Sequence, residues 1–256
     1  MTVTSPKVFV SVLLFGLLLG TASTTKADAI SFISINVSNI QFTPAAGTAT
    51  LTLTGASARA QAGNSLGENQ DITSNLFPVA QSAVAITFAS ASGIANATNT
   101  SLSGVAQVNV SGCSCSAGSF SQSILTGTLV VLGGEGNVNV TISGLLDGLT
   151  HLETDAFGKN VELGWLFDVT VNGVSVFSID FENTRQGPNQ LALTEFSQQI
   201  SRVITLQFGA VNTIGIRLTP NALGINEVPE PATVTLLISG LGFMTGIMRK
   251  RRKSAD

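Results

Sequence analysis

The sequence predicts an all-β fold, an antiparallel β-sandwich or jelly-roll-like domain, between an N-terminal signal-peptide helix and a C-terminal transmembrane helix. Apolar and polar residues alternate with a period of two in many runs, such as residues 48–54 (TATLTLT) and 138–142 (VNVTI). Threonine alternating with aliphatic residues suits a half-buried strand. Turn-forming residues separate the runs, and no 12-residue window of the central chain carries a helical apolar stripe. We therefore expect about eight to eleven short strands.

Residues 1–29 have the pattern of a secretory signal peptide. Lys7 supplies the positive charge near the start, and residues 8–20 form an apolar stretch that is short for a membrane span. Ala27 and Ala29 place small residues at the two positions that signal peptidase inspects. We expect cleavage after Ala29, with an uncleaved N-terminal anchor as the alternative.

Residues 30–227 form the predicted exported domain. They contain twelve acidic and five basic residues, a formal charge of −7 against −3 for the whole chain. An acidic, lysine-poor surface argues against nucleic acid as a partner, because phosphates require a basic surface. About 200 residues suffice for one sizeable core or two small ones. A single sandwich and two sandwiches joined near residues 112–118 remain open alternatives here.

The most specific local prediction is a β-hairpin over residues 161–181. Its turn is Asn172-Gly173, a pair that accepts the positive φ values of a type I′ turn. The apolar residues of the second arm change phase near Val176-Phe177, which predicts a β-bulge there. With the bulge in place, Trp165 on the first arm points toward the core.

Four further segments complete the prediction of the domain. Residues 200–208 and 211–218 alternate and predict two more strands around Gly209-Ala210. Residues 56–75 and 89–103 are small, polar and glycine-containing, so we expect long surface loops or poorly ordered sheet edges there. No repeat of fixed period is visible, which leaves a solenoid as the less favoured architecture.

The C-terminal segment, residues 228–253, has three parts in sequence. Val228-Pro-Glu-Pro231 cannot continue a helix or a central strand, because proline fixes φ and lacks an N–H donor. Residues 232–248 carry no charge and would span roughly 25 Å as a helix, the short end of a bilayer core. A basic cluster follows. Because lysine and arginine next to a span favour the cytoplasmic side, we expect this cluster to hold the C-terminus there and the span to act as a membrane stop. Its residues are Arg249, Lys250, Arg251, Arg252 and Lys253.

This order of proline-glutamate-proline, short apolar span and basic end resembles the PEP-CTERM sorting signal of bacterial exported proteins. The resemblance covers about a tenth of the chain. It implies that an exosortase, a membrane transpeptidase with a cysteine nucleophile, recognises Pro229, Glu230 and Pro231 and removes the tail. The protein would then pass from a membrane-anchored precursor to the cell surface or the exopolysaccharide matrix. The alternative is an ordinary single-pass anchor with a proline-rich stalk.

Cys113 and Cys115 are the only cysteines. Oxidation is expected in an exported protein, so we expect a local disulfide in this Gly/Ser-rich stretch. Pairing with another chain, or a redox or metal-binding role, are the alternatives. Structural zinc binding has little support, since two thiolates lack the second ligand pair of such a site.

Three acidic residues, Asp147, Glu153 and Asp155, are expected in a loop before the long hairpin. Carboxylates gathered in a loop are ligands for Ca²⁺, which makes calcium the one candidate cofactor. The alternative is that the same side chains keep a solvated loop soluble. No calcium-loop pattern of alternating aspartates ending in glycine is present.

The sequence shows no catalytic constellation. His151 is the only histidine, and no Gly-x-Ser-x-Gly motif marks a nucleophile. We therefore predict a non-enzymatic structural or adhesion protein of the cell surface or extracellular matrix. Its expected partners are an exosortase, the membrane before processing, and exopolysaccharide. The alternative is a carbohydrate-binding module, assisted by calcium and using Trp165, that retains the protein in exopolysaccharide.

Overall fold

A computed structural model describes residues 28–155 and 158–226, with the side chains of residues 158 and 159 excepted. Among these residues there is no helix that could span a membrane. The predicted signal-peptide helix before Asp28, the Pro-Glu-Pro motif, the transmembrane helix and the basic cluster lie outside the described residues. The strands are β1 (Asp28–Pro44), β2 (Thr48–Asn64), β3 (Asn69–Ser74), β4 (Val79–Ala85), β5 (Ala89–Asn96), β6 (Ser101–Ser111), β7 (Ser116–Leu132), β8 (Asn137–Thr154), β9 (Gly158–Val171), β10 (Val174–Gln186), β11 (Gln190–Gln207) and β12 (Val211–Asn226).

The strands form two antiparallel six-stranded sheets. The first sheet has the order β11-β8-β1-β6-β5-β4, and the second has the order β10-β9-β12-β7-β2-β3. Their inner faces share one apolar core, which includes residues of both sheets. The predicted all-β antiparallel sandwich is thereby confirmed. The segment around residues 112–115 connects β6 of the first sheet to β7 of the second.

Alternation along each strand places the core. On β1, Ile33, Ile35 and Val37 are buried while Ser34 and Asn36 face outward. Residues one position apart point to opposite faces, so a period of two produces one apolar face. Ala29 is also buried and pairs with neighbours on β6 and β8. Strand β1 therefore begins two residues before the predicted cleavage point, which itself stays a prediction.

The long-loop prediction for residues 56–75 and 89–103 is wrong. The first range contains the end of β2 and all of β3, and the second contains β5 and the start of β6. These strands bury small side chains, for example Ala58 and Ala60 on β2 and Ala91 on β5. Small residues there allow the two sheets to approach closely: a Cβ on Gly93 would lie 3.0 Å from the Ser123 hydroxyl of the opposite sheet.

The turn, the bulge and the inward Trp165 of the hairpin prediction are confirmed, while Val174 on the second arm is exposed. Asn172 and Gly173 have φ values of 52° and 79° at the turn between β9 and β10. The pairing register shifts between Ser175 and Phe177, so the bulge lies where the change of phase predicted it. Trp165 is only 7% exposed and packs in the core.

Strands β11 and β12 contain the two segments predicted around Gly209-Ala210, and both are longer than expected. They do not pair with each other, because β11 borders the first sheet and β12 lies inside the second. β12 pairs with β7 on one side and with β9 on the other.

Replacement of Phe167 by alanine should strongly destabilise the fold. Phe167 is fully buried and meets Phe177 edge to face, with ring centroids 5.9 Å apart. Removing a buried aromatic ring costs about 3–5 kcal/mol of unfolding free energy. Urea denaturation followed by intrinsic fluorescence measures this loss.

The matched control is Phe181→Ala on β10, where the ring is 38% exposed. Its loss of unfolding free energy should be clearly smaller. Equal losses for the two variants would contradict the described position of β9 in the core.

Candidate ligand-binding groove

A groove of about 710 Å³ lies on the outer face of the second sheet. Gln61 on β2, Phe120 on β7 and Asn221 on β12 are neighbours in the pairing register. All three point outward, because the adjacent residues along each strand, such as Ser121 and Ala222, are buried. The three side chains therefore form a row across the sheet, with an aromatic ring between two amides.

Two glycines form a depression beside this row. Gly63 on β2 pairs with Gly118 on β7, and both line the groove. A Cβ on Gly118 would lie 3.7 Å from a methyl group of Leu223, and one on Gly63 would lie 3.7 Å from the amide oxygen of Asn69. Side chains at these positions would project into the groove, so the missing Cβ atoms keep it open.

The wall of the groove is the loop of residues 65–68 between β2 and β3. The Glu68 carboxylate accepts hydrogen bonds from the Thr87 hydroxyl at 2.7 Å, the Thr87 N–H at 3.1 Å and the Asn64 amide at 2.6 Å. The Ser65 N–H donates to the Ser116 carbonyl at 2.9 Å, and the Ser116 N–H donates to the Ser65 hydroxyl at 3.0 Å. These bonds fix the wall to β7 and to the β4–β5 turn.

The cation nearest the aromatic ring is already paired. The Arg59 guanidinium lies 6.0 Å from the centroid of the Phe120 ring and binds both carboxylate oxygens of Asp71. This hydrogen bonding raises the pKa of Arg59 and lowers the pKa of Asp71. Glu68 and Glu162 also line the groove. The lining therefore offers amides, carboxylates and one ring face, a composition that disfavours anionic ligands.

The structure does not bring the three predicted calcium ligands together. The expectation that Asp147 and Glu153 lie in a loop is wrong, since both lie within β8. Six positions on one strand separate them by roughly 20 Å. Asp155 directly follows β8. Among the described residues there is no group of three His, Cys, Asp or Glu side chains that could hold a metal ion.

His151 also lies on β8. Its Nε2 is 3.1 Å from a carboxylate oxygen of Glu153, two residues further along the strand. Within residues 28–155 and 158–226, no serine hydroxyl forms a hydrogen bond with His151. The described contacts thus join this histidine to an acid alone.

The structure joins the sulfur atoms of Cys113 and Cys115, whose Cα atoms are 5.4 Å apart. The Cys115 carbonyl accepts a hydrogen bond of 3.0 Å from the N–H of Asn226, the last residue of β12. The cysteine loop therefore lies beside the point where the chain leaves the sandwich toward its C-terminus.

Trp165 is the aromatic residue on which the carbohydrate alternative relied. Its side chain is buried, so it offers no exposed ring face to a sugar. Its ring stacks on Phe181 and Phe196, with centroids 6.2 and 5.9 Å away. The aromatic ring that lines the groove belongs instead to the half-buried Phe120, which sequence reasoning did not select. The sequence places Phe120 between Ser119 and Ser121. Since both serines are buried and successive side chains of a strand alternate, Phe120 points outward.

Residues 227–253 match the family of the PEP-CTERM protein-sorting motif. This chain carries a PEP-CTERM sorting motif. The match contains Pro229, Glu230 and Pro231 and begins directly after β12. The motif supports an exported protein that is sorted by an exosortase from a membrane-anchored precursor. No curated protein matches the chain.

Acid should loosen the wall of the groove. The hydrogen bonds from Thr87, and then the one from Asn64, hold the pKa of Glu68 below its usual range. Ionised Glu68 therefore stabilises the loop above the ordinary glutamate pKa of about 4.3, and this stabilisation is lost as the pH falls through the lowered value. Hydrogen exchange of the Leu66 and Glu68 amides, corrected for intrinsic rates, should accelerate below about pH 4.

Glu68→Gln is the control for this pH effect. Its loop amides should exchange with corrected rates that do not change over the same range of pH. A wild-type loop whose protection is constant down to full protonation would show that the carboxylate does not hold the wall.

Proposed function

We propose that this protein is a non-enzymatic structural or adhesion protein of the cell surface or the exopolysaccharide matrix. The observation that supports the proposal is the PEP-CTERM motif at the end of a strand-built, acidic body. The proposed organisation is a signal peptide over residues 1–29, an exported sandwich over residues 30–227 and a sorting segment over residues 228–253.

The body suits a load-bearing or displayed role. Its strands reach 18 residues, and each interior strand is paired on both sides, so force along the sheets acts on many hydrogen bonds together. The excess of acidic residues keeps such a domain soluble outside the cell. No cofactor enters the proposal.

Processing of the tail tests the sorting step. The full chain is expressed in cells with and without an exosortase, and its mass is measured. We expect a product shortened within residues 227–253 only in cells that contain the enzyme. Replacing Pro229, Glu230 and Pro231 together by alanine should leave the tail in place.

Pro188→Ala, in an exposed loop outside the motif, is the matched control and should be processed normally. An unshortened wild-type chain in the presence of a functional exosortase would contradict processing. A processed chain found neither at the surface nor in the matrix fraction would contradict the proposed destination alone.

The groove favours carbohydrate binding as a second candidate function. The half-buried Phe120 ring offers an apolar face to the C–H groups of a sugar ring, and Gln61 and Asn221 offer amide donors and acceptors on either side. Since Arg59 is paired with Asp71, a neutral saccharide fits this lining better than an acidic one. Calcium assistance stays a prediction, and EDTA tests it directly.

Replacement of Phe120 by alanine should weaken glycan binding roughly tenfold, equivalent to about 1.4 kcal/mol. Titration calorimetry with neutral oligosaccharides selected on a glycan array measures the change. Phe120→Leu keeps apolar volume but removes the flat ring, so it should bind nearly as weakly. Leu191→Ala, at an exposed position away from the groove, should bind as wild type. Unchanged binding by Phe120→Ala would exclude this groove as the sugar site.

A further inference from the structure

Both ends of the described chain lie at one pole of the sandwich. Asp28 pairs with Ser111 at the end of β6, and Asn226 pairs with Gly158 at the start of β9. The two sheets meet there, since a Cβ on Gly224 would lie 3.4 Å from the carbonyl oxygen of Ala29. We call this end the exit pole and define it by Asp28, Asp155 and the loop residues 65–68, 86–88, 112–115 and 187–189.

The chain between the exit pole and the apolar run is short. Residues 227–231 separate Asn226, the end of β12, from Ala232, where the uncharged stretch begins. Six Cα-to-Cα steps cover at most about 20 Å, even when the chain is fully extended. The headgroup region adds roughly 5–8 Å to each side of a bilayer core. The fully extended tether thus exceeds the headgroup layer by about 12–15 Å, which is much less than the roughly 55 Å length of a 17-residue strand such as β1.

The tether is not readily lengthened by unpairing the last residues of β12. Ile225 pairs with Ser116 on β7 and with Asn160 on β9, and the N–H of Asn226 donates to the Cys115 carbonyl. Asn226 is 1% exposed. Releasing these residues would break ladder bonds on both sides of an interior strand and expose buried groups. The full pairing of β12 therefore sets the length of the tether.

We propose that the exit pole faces the lipid surface in the membrane-anchored precursor and is uncovered when the tail is removed. The proposal rests on the apolar run as the anchor and is independent of glycan binding. The turns at residues 45–47, 133–136, 172–173 and 208–210 form the opposite pole. With 17 residues in β1, this far pole is roughly 55 Å away, so it points away from the bilayer.

In the proposed arrangement the tether holds the exit pole at the lipid. The described ionisable side chains of the exit pole as defined, Asp28, Glu68 and Asp155, are acidic; the side chain of Lys159, next to Gly158 at the start of β9, is outside the described ones. Anionic headgroups do not attract such a surface. Leu66, at 63% exposure, is the large apolar side chain exposed there. A longer tether should therefore let the pole leave the membrane.

Fluorescence quenching tests the orientation on the full chain in vesicles without exosortase. A fluorophore is attached at Leu66→Cys on the exit pole or at Glu135→Cys on the far pole, and the lipids carry a headgroup spin label. The protein without an added cysteine gives the labelling background from Cys113 and Cys115. We expect loss of most of the fluorescence at position 66 and little loss at position 135. Pro188→Cys provides a second exit-pole position should Leu66→Cys misfold.

A flexible spacer between Glu227 and Val228 provides the decisive comparison. About twenty Gly and Ser residues add a root-mean-square length of roughly 25 Å and should largely remove the quenching at position 66. Equal quenching at both poles would overturn the proposal. Quenching that survives the spacer would also overturn it, since the pole would then bind lipid by itself.

Discussion

The pairing of β12 on both sides is the constraint on which the rest of the structure depends. Its inward residues, including Ile216 and Leu218, are fully buried between the sheets. Its outward residue Asn221 stands next to Phe120 in the groove, and Asn226 fixes the start of the tail. One interior strand therefore links the core, the candidate ligand site and the sorting motif. A shift of its register by one residue would exchange all inward and outward side chains.

Small side chains determine how closely the sheets pack around this strand. Pro220, within β12, lies against Gly104 of the opposite sheet: a Cβ there would be 2.6 Å from the proline ring. Likewise, a Cβ on Gly93 would lie 3.0 Å from the Ser123 hydroxyl of the opposite sheet. On the other side of the sandwich, the large side chains of Trp165 and Phe167 fill the space between the sheets. The core thus changes from small to large residues across its width, which suits two sheets that twist relative to each other.

The sequence predicts those features that depend on local chemistry. Asn172-Gly173 determines its own turn, and the change of phase beside it requires a bulge, so both were predictable from neighbouring residues. The strands within residues 56–75 and 89–103 were not, because most of their buried positions carry alanine, which is small and only weakly apolar. Their burial depends on a partner sheet that is distant in sequence. The groove has the same origin: Gln61, Phe120 and Asn221 become neighbours only through the pairing of three strands.

The loop of residues 65–68 belongs both to the wall of the groove and to the exit pole. The Glu68 carboxylate in this loop accepts hydrogen bonds from Thr87 and Asn64, and neither partner belongs to the tail. Removal of the tail can therefore change access to the groove without any change in the sandwich itself. Under the proposed orientation, steric control of this kind needs no second conformation of the sandwich, because it depends only on what lies next to the pole. A rigid wall is then an advantage, since a mobile loop would reduce the difference in ligand access to the groove between the anchored and released forms.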